Sequence, residues 1–577
     1  MLNQRAVRLS RREFIRTAAI LAAASAAPRA FAANGLRLGD AHAHLFNLTD
    51  LPVRGYFEHV VLWNTALSAW PVRPLWPALL DLVEFLKGES ITAEQELETM
   101  LRAPAEIPVI DEAEFGRLAF GRIARMRRRG RRPGGGPPVE PLTAPQRRLR
   151  SSYALLARVI DLVGDSVGRG PEDIDDAPRL TDEDIRRIRG GGNNLFRRDC
   201  PEAPHAPGAG GGTRRLINAT LVWAREMMQS RRYHLGEYRS RIQVGGVAPT
   251  TVVNLLVDYD GWLGDGPAPG SSHEAQVRLW ARMREDNAGT IDIRTFAGFD
   301  PLRDAEEHFG LGSRYDAESR FARNRAHIAA GRLHGLKLYP PMGFRPLGNQ
   351  AAMFAGRARA LGVIRRRWHD LGLDPGELPE RLDQALTRLY RYCSERDVPI
   401  LTHAYHGNEA SQCAGAYAAP AGWLSVLERF PDLRLCIGHF SEAGDFVDGM
   451  ERRDAGRRIP ARVWPLHGTE RLLALNGNGR SRVYVDIADM IELLHERRGL
   501  RRATAFFAQL RRYCDDYDRG CEHVMFGSDW IMLGRIRAHR SYVETIRSAM
   551  AAASWPEQWQ RNLLHDNLQS FLAPRRR

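Results

Sequence analysis

From residue 241 onward, short apolar runs rich in β-branched residues alternate with stretches of helical periodicity, and this rhythm restricts the fold more than any other feature. The runs are TTVVNLLVD at 250–258, TIDIRTFAG at 290–298, GLKLYP at 335–340, PILTHA at 399–404, RLCIGHF at 434–440, RVYVDIA at 482–488 and HVMFGSD at 523–529. Between them, His273–Met283, Ala317–Ala330, Arg381–Cys393, Trp423–Arg429 and Ala503–Cys514 read as helices. Strands followed by helices of this length pack as βα units on a parallel sheet. An earlier run, LRLGD, ends at Asp40 and brings the count to eight. Eight such units predict an α/β fold, a (β/α)8 TIM barrel. An open doubly wound sheet is the rival arrangement, but no GxGxxG or Walker-A sequence supplies the nucleotide site that would favour it.

The barrel expected in this way occupies residues 33–72 and 241–577, with a helical and loop-rich insertion at 73–240 between its first two strands. The stretch LWPALLDLVEFLKGESITAEQELETML at 75–101 has apolar positions at helical spacing, as do Ser151–Val167 and Asn218–Met228. Thr181 is suited to cap the helix pattern DEDIRRIR. The arginine-rich segment 125–149 and the Gly/Pro-rich segment 189–214 read as loops.

Several of the apolar runs close on a titratable residue. His42-Ala43-His44 directly follows the first strand, and alternation places i and i+2 on one side. His403 ends the fifth run, His439 the sixth and Asp529 the eighth. Barrel active sites form at the C-terminal ends of strands, so these groups are expected to converge there. Imidazole nitrogen and carboxylate oxygen together suit zinc, manganese, iron or cobalt.

In order along the chain, DAHAH at 40–44, GLKLYP at 335–340, THAYHGN at 402–408, IGHFSEAG at 437–444, FGSDW at 526–530 and the closing NLLHDNLQSFL at 562–572 resemble the metal-dependent amidohydrolase superfamily. Within it the chain is most similar to the branch of hydrolases, lactonases and non-oxidative decarboxylases related to aminocarboxymuconate semialdehyde decarboxylase. The resemblance covers the barrel and leaves the insertion unexplained. It implies that His42, His44, His403 and Asp529 bind one divalent metal ion, zinc foremost, with His439 and Asp529 as the catalytic pair. Lys337 would bridge a second metal if carboxylated, or serve as a substrate or structural cation beside a single one. Tyr339, Arg345 and His406 are further candidates for substrate contact, and Glu409 shares the loop with His406.

Two reactions fit that ligand set. In one, metal-activated water hydrolyses a C–N or C–O bond of an amide, lactone or ester, and Asp529 shuttles the proton. In the other, the same centre carries out non-oxidative decarboxylation of a carboxylic acid. The address at the N-terminus favours hydrolysis, because decarboxylases of this kind act mostly on intracellular metabolites. That address is a basic stretch, a short apolar stretch at Thr17–Ala27 and an Ala30-Phe31-Ala32 cleavage site, so residues 1–32 read as a signal peptide. Ser10-Arg11-Arg12-Glu13-Phe14-Ile15-Arg16 resembles the twin-arginine export signal, which implies the export machinery as a partner and a periplasmic location. The leader also holds six arginines against one glutamate, +5 of the net charge of +14. What remains is a mild basic bias without an aromatic-interleaved module, so nucleic acid is not expected as a partner. A small-molecule substrate and a homodimer are. Cys514 and Cys521, seven apart near a helix end, could meet but read rather as ordinary buried thiols, and Cys200, Cys393, Cys413 and Cys436 show no metal-type pairing.

Overall fold

The computed structural model describes residues 37–61, 73–102, 107–128, 143–161, 223–263, 268–350, 359–405, 409–410, 414–494, 499–535 and 539–575. The leader, Thr181, the 189–214 segment, Cys200, His406 and Cys413 lie outside the described residues. Eight parallel strands form one sheet whose spatial order is the chain order: β1 (Gly39–Ala43), β2 (Thr251–Leu255), β3 (Asp292–Gly298), β4 (Gly335–Leu338), β5 (Ile400–His403), β6 (Arg434–Gly438), β7 (Arg482–Asp486) and β8 (Val524–Met525). The ring returns on itself between β1 and the segment after β8. Ala41 N–H donates to Phe526 O at 2.9 Å, Asp529 N–H donates to His42 O at 2.8 Å, and Ala43 bridges Trp530 in parallel. The fold is a (β/α)8 barrel.

Two strands differ from their sequence reading. β1 begins at Gly39, because its ladder partner on β2 begins opposite at Thr251, so the strand contains His42 instead of preceding it. β8 is only two residues long. Beyond it the backbone leaves the ladder: Phe526 N–H donates to Leu563 O at 2.8 Å and Asp529 N–H turns to β1. Inside the barrel Ala41, Val253, Leu255, Phe296, Leu401, Cys436, Tyr484 and Met525 pack against Leu568 and Phe571 of the closing helix Asn567–Leu572. That plug leaves the opposite, C-terminal face for chemistry. Asn567 fastens it, donating to Cys521 O at 2.9 Å and Val524 O at 2.7 Å.

The insertion contributes α1 (Trp76–Gly88), α2 (Ala93–Arg102), α3 (Glu112–Arg128), α4 (Ala144–Asp161) and α5 (Arg231–Arg241). The single helical pattern over 75–101 is thus two helices. Thr92 divides them with a capping box: its N–H donates to Gln95 Oε1 at 2.9 Å and its Oγ1 accepts from Gln95 N at 3.3 Å. Thr143 and Gln146 repeat the device at 2.9 Å and 3.4 Å and start α4 inside the segment read as a loop, whose first residues belong to α3. Arg231, fully buried at the start of α5, ties the insertion to the barrel. It meets Glu96 Oε2 of α2 at 3.0 Å, and on the loops after β1 and β2 it meets Asp50 Oδ2 at 2.9 Å, Thr49 Oγ1 at 2.8 Å and Ser271 Oγ at 2.9 Å.

Candidate metal centre

The aim of His42 depends on a break in strand alternation. Gly39 pairs with Thr251 and Asp40 with Val252, but Ala43 pairs with Asn254, so β1 carries one extra residue. Ala41 lies in the inner plug with Val253 and Leu255, whereas Ala43 packs in the outer core. The bulge therefore turns both Ala41 and His42 inward, and restored alternation brings in His44. Asp40 is left outside the barrel wall, where Oδ1 accepts from His42 N and Ser528 N, each at 3.0 Å, and Oδ2 accepts from Tyr238 OH of α5 at 3.0 Å. Burial raises its pKa to about 6.

His44 and Asp529 define the centre. His44 Nδ1 is 3.0 Å from Leu255 O. A carbonyl only accepts, so Nδ1 carries the proton and the Nε2 lone pair faces Asp529 Oδ1, 3.7 Å away. His42 Nε2 lies 3.9 Å from the same oxygen. Both rings are neutral. Burial, reinforced by the Lys337 charge, lowers His44 to about 3 and holds His42 well below the usual imidazole range. A lone pair opposed to a carboxylate across this gap suits a cation that both accept, and a divalent metal fits the donor set. Ligand atoms of His42, His44 and Asp529 all lie within 4.8 Å of one another.

His403 does not join that trio of ligand atoms. Its ring stacks on Tyr339 with centroids 4.3 Å apart and lies 4.5 Å from the ring of His439, which is itself 4.5 Å from His42. Its Nε2 is buried without a hydrogen-bond partner. His439, just past β6, is lowered by burial against the opposing pull of Asp486. His439 and Asp529 both have left-handed backbone, with φ of 64° and 51°. Such conformations cost about 1–3 kcal/mol in a non-glycine residue and persist where the surroundings hold them.

Lys337 is buried in β4, its Nζ 3.2 Å from His42 Nε2 and 5.9 Å from the Tyr339 ring centre. Burial lowers it to about 8, with Asp486 and Asp529 opposing. Arg345 does not face the cluster: it is exposed, its guanidinium over Tyr417 at 5.4 Å. Glu409 accepts from Gly415 N at 2.8 Å, a loop contact. Cys436 packs inside the barrel, and Cys514 and Cys521 are buried as free thiols. The sequence reading missed Asp486, which ends β7 facing His42 Nδ1 at 2.9 Å, and Asp489, whose ligand atom lies within 4.8 Å of those of His439 and Asp529. The signal for Asp486 was present, since RVYVD closes on a carboxylate as the other runs close on histidine or aspartate.

Residues 313–568 match the family described as Amidohydrolase. The match takes in less than half of the chain. It spans Lys337, Tyr339, His403, His439, Asp486 and Asp529, while His42 and His44 precede it. Among solved structures, similarity is found to a protein assigned as a metal-dependent hydrolase from Lactobacillus casei (12% identity, 60% of this chain and 80% of the other, TM-score 0.34). An amidohydrolase from Burkholderia multivorans gives 12% identity over 57% and 84% of the two chains, with a TM-score of 0.32. The 5-carboxyvanillate decarboxylase LigW from Sphingomonas paucimobilis gives 12% over 61% and 85%, with a TM-score of 0.30. Comparison with curated proteins finds no match.

Proposed function

We propose that the protein is a metal-dependent hydrolase that cleaves a C–N or C–O bond of an amide, lactone or ester. The observation that carries this reading is the pair of neutral imidazoles whose Nε2 atoms lie 3.7 Å and 3.9 Å from one oxygen of Asp529 at the open end of the barrel. His42, His44 and Asp529 would hold one divalent ion, zinc foremost, with His403 supplying its buried Nε2 from the adjoining ring. When bound, the ion polarises the scissile carbonyl and lowers the pKa of water in its shell.

The remaining work belongs to the chain. The Asp529 carboxylate takes a proton from the attacking water and hands it to the leaving nitrogen or oxygen. The His439 imidazole, whose Nδ1 faces the Ala488 carbonyl at 3.4 Å and so carries the proton, keeps its Nε2 lone pair to accept from the attacking water and orient it. The stacked Tyr339 and His403 rings wall one side. Export through the twin-arginine pathway to the periplasm belongs to the same proposal and rests on the leader sequence alone. The test is turnover of a panel of lactones, amides, esters and aromatic carboxylic acids by metal-loaded protein. Hydrolysis without release of carbon dioxide is expected; carbon dioxide release from an aromatic acid with no hydrolysis would replace this reading with the decarboxylase.

A further inference from the structure

We infer that Asp486 is a positioning residue, fixing the tautomer of His42 and the backbone of His439 with the two oxygens of one carboxylate. This rests on the metal-centre reading above and goes beyond it, because Asp486 lies outside the trio of His42, His44 and Asp529. The residue ends β7, fully buried, between the β1 and β6 strand ends that carry the two histidines. Oδ1 accepts from His439 N at 2.9 Å and from Ala488 N at 3.1 Å. Oδ2 faces His42 Nδ1 at 2.9 Å and receives the Cys436 thiol at 3.7 Å. Every one of these partners is a donor or must become one.

Both oxygens of Asp486 already serve as acceptors, toward two backbone N–H groups and the Cys436 thiol, so His42 must carry its proton on Nδ1. Its Nε2 lone pair then points to the side of the ring where Asp529 Oδ1 lies at 3.9 Å and Lys337 Nζ at 3.2 Å. The His44 tautomer is set by a backbone carbonyl, which no substitution can change. That of His42 is set by a side chain, and is open to test. The other oxygen reaches a different target. His439 has a left-handed φ of 64°, and its N–H, which leaves the sheet there, is satisfied by Asp486 Oδ1. Asp486 therefore links the aim of a metal-facing imidazole to the placement of the catalytic one.

Asp486→Asn separates these roles. Two backbone donors claim the amide oxygen, so the amide nitrogen faces His42 Nδ1, donor against donor. The imidazole is expected to shift its proton to Nε2 and turn an N–H toward Asp529. The measurements are the zinc dissociation constant by chelator competition and the ring nitrogen shifts of His42 in apo-protein labelled with nitrogen-15 histidine. The expected result is an Nδ1–H tautomer in the wild type, an Nε2–H tautomer in D486N, and zinc binding weakened about 10–100-fold with the fold retained. An Nε2–H tautomer in the wild type overturns the proposal even if the variant does not fold, and so does unchanged zinc affinity in folded D486N. A wild-type protein that binds no zinc, manganese, iron or cobalt contradicts the metal-centre reading instead, while the tautomer measurement still judges Asp486.

Discussion

At the scale of single residues, the chemistry divides between groups that hold and groups that react. His439 is of the second kind in the proposed mechanism: its backbone is pinned by Asp486 and its ring lies beside the ligand trio without belonging to it. His439→Ala is expected to lower kcat by about 10²–10³-fold, the scale of losing a side chain that positions the attacking water, with zinc content unchanged by elemental analysis. Loss of zinc together with activity would instead place His439 among the ligands. Lys337→Met addresses the second metal. One equivalent of metal is expected to remain, because the lysine ammonium lies against His42 and would leave more room on departing; loss of bound metal would support a bridging lysine. The histidines and Asp529 were legible because each interrupts or ends an apolar run. Asp486 obeyed the same rule and was overlooked, because its role is toward His42 and comes from a fold contact, not from a spacing. Arg345, named as a possible contact beside the alternative of a surface arginine, lies exposed over Tyr417, because a cation in a strand-end loop need not turn inward.

At the scale of elements, the strand rhythm located all eight strands but left unread the helices after β6 (Ala443–Asp454) and β8 (Tyr542–Ala552), and hydrogen bonding set the boundaries. The bulge in β1 could not be read from DAHAH, since it appears only as a mismatch of register with β2. Helix breaks at Thr92 and Thr143 were readable in principle, because each is a Thr-x-x-Gln capping box, but helical periodicity on either side of Thr92 concealed the first. The insertion is joined to the barrel by charge as well as by packing. Arg231 is buried and paired with Asp50 and Glu96, both nearly inaccessible. Arg231→Met would leave those two carboxylates buried without their cation. A loss of about 3–5 kcal/mol is expected from urea denaturation, as when one partner of a buried ion pair is removed. A loss below about 1 kcal/mol would mean that water replaces the guanidinium.

At the scale of the whole molecule, buried histidines make stability depend on pH. Burial, with the charge of a nearby arginine, lowers His234 and His273 to about 3, and neither belongs to the metal centre. Their unfolded value is about 6.5. Below that pH the unfolded chain binds more protons than the folded one, so stability falls with acidification by up to about 1.4 kcal/mol per pH unit for each histidine. Asp40 acts in the opposite sense between about pH 4 and its folded value of about 6, where the folded state binds the extra proton. The histidines outnumber it, and the urea midpoint is expected to fall between pH 7 and pH 5; a flat midpoint would mean that these imidazoles are protonated in the folded state. Barrel architecture was the most legible feature of the chain, because it is written redundantly in eight repeats. The insertion was the least, since no repeat or motif tells where its helices dock.

The most direct test of the metal centre is metal stoichiometry in the folded protein and in Asp529→Asn. After dialysis against excess zinc and removal of unbound ion, elemental analysis is expected to give one equivalent per chain in the wild type and markedly less in the variant, with both retaining the same circular dichroism. A wild-type protein that folds yet retains no divalent ion, or a variant that holds zinc as tightly as the wild type, would contradict the convergence of His42, His44 and Asp529 on a shared cation.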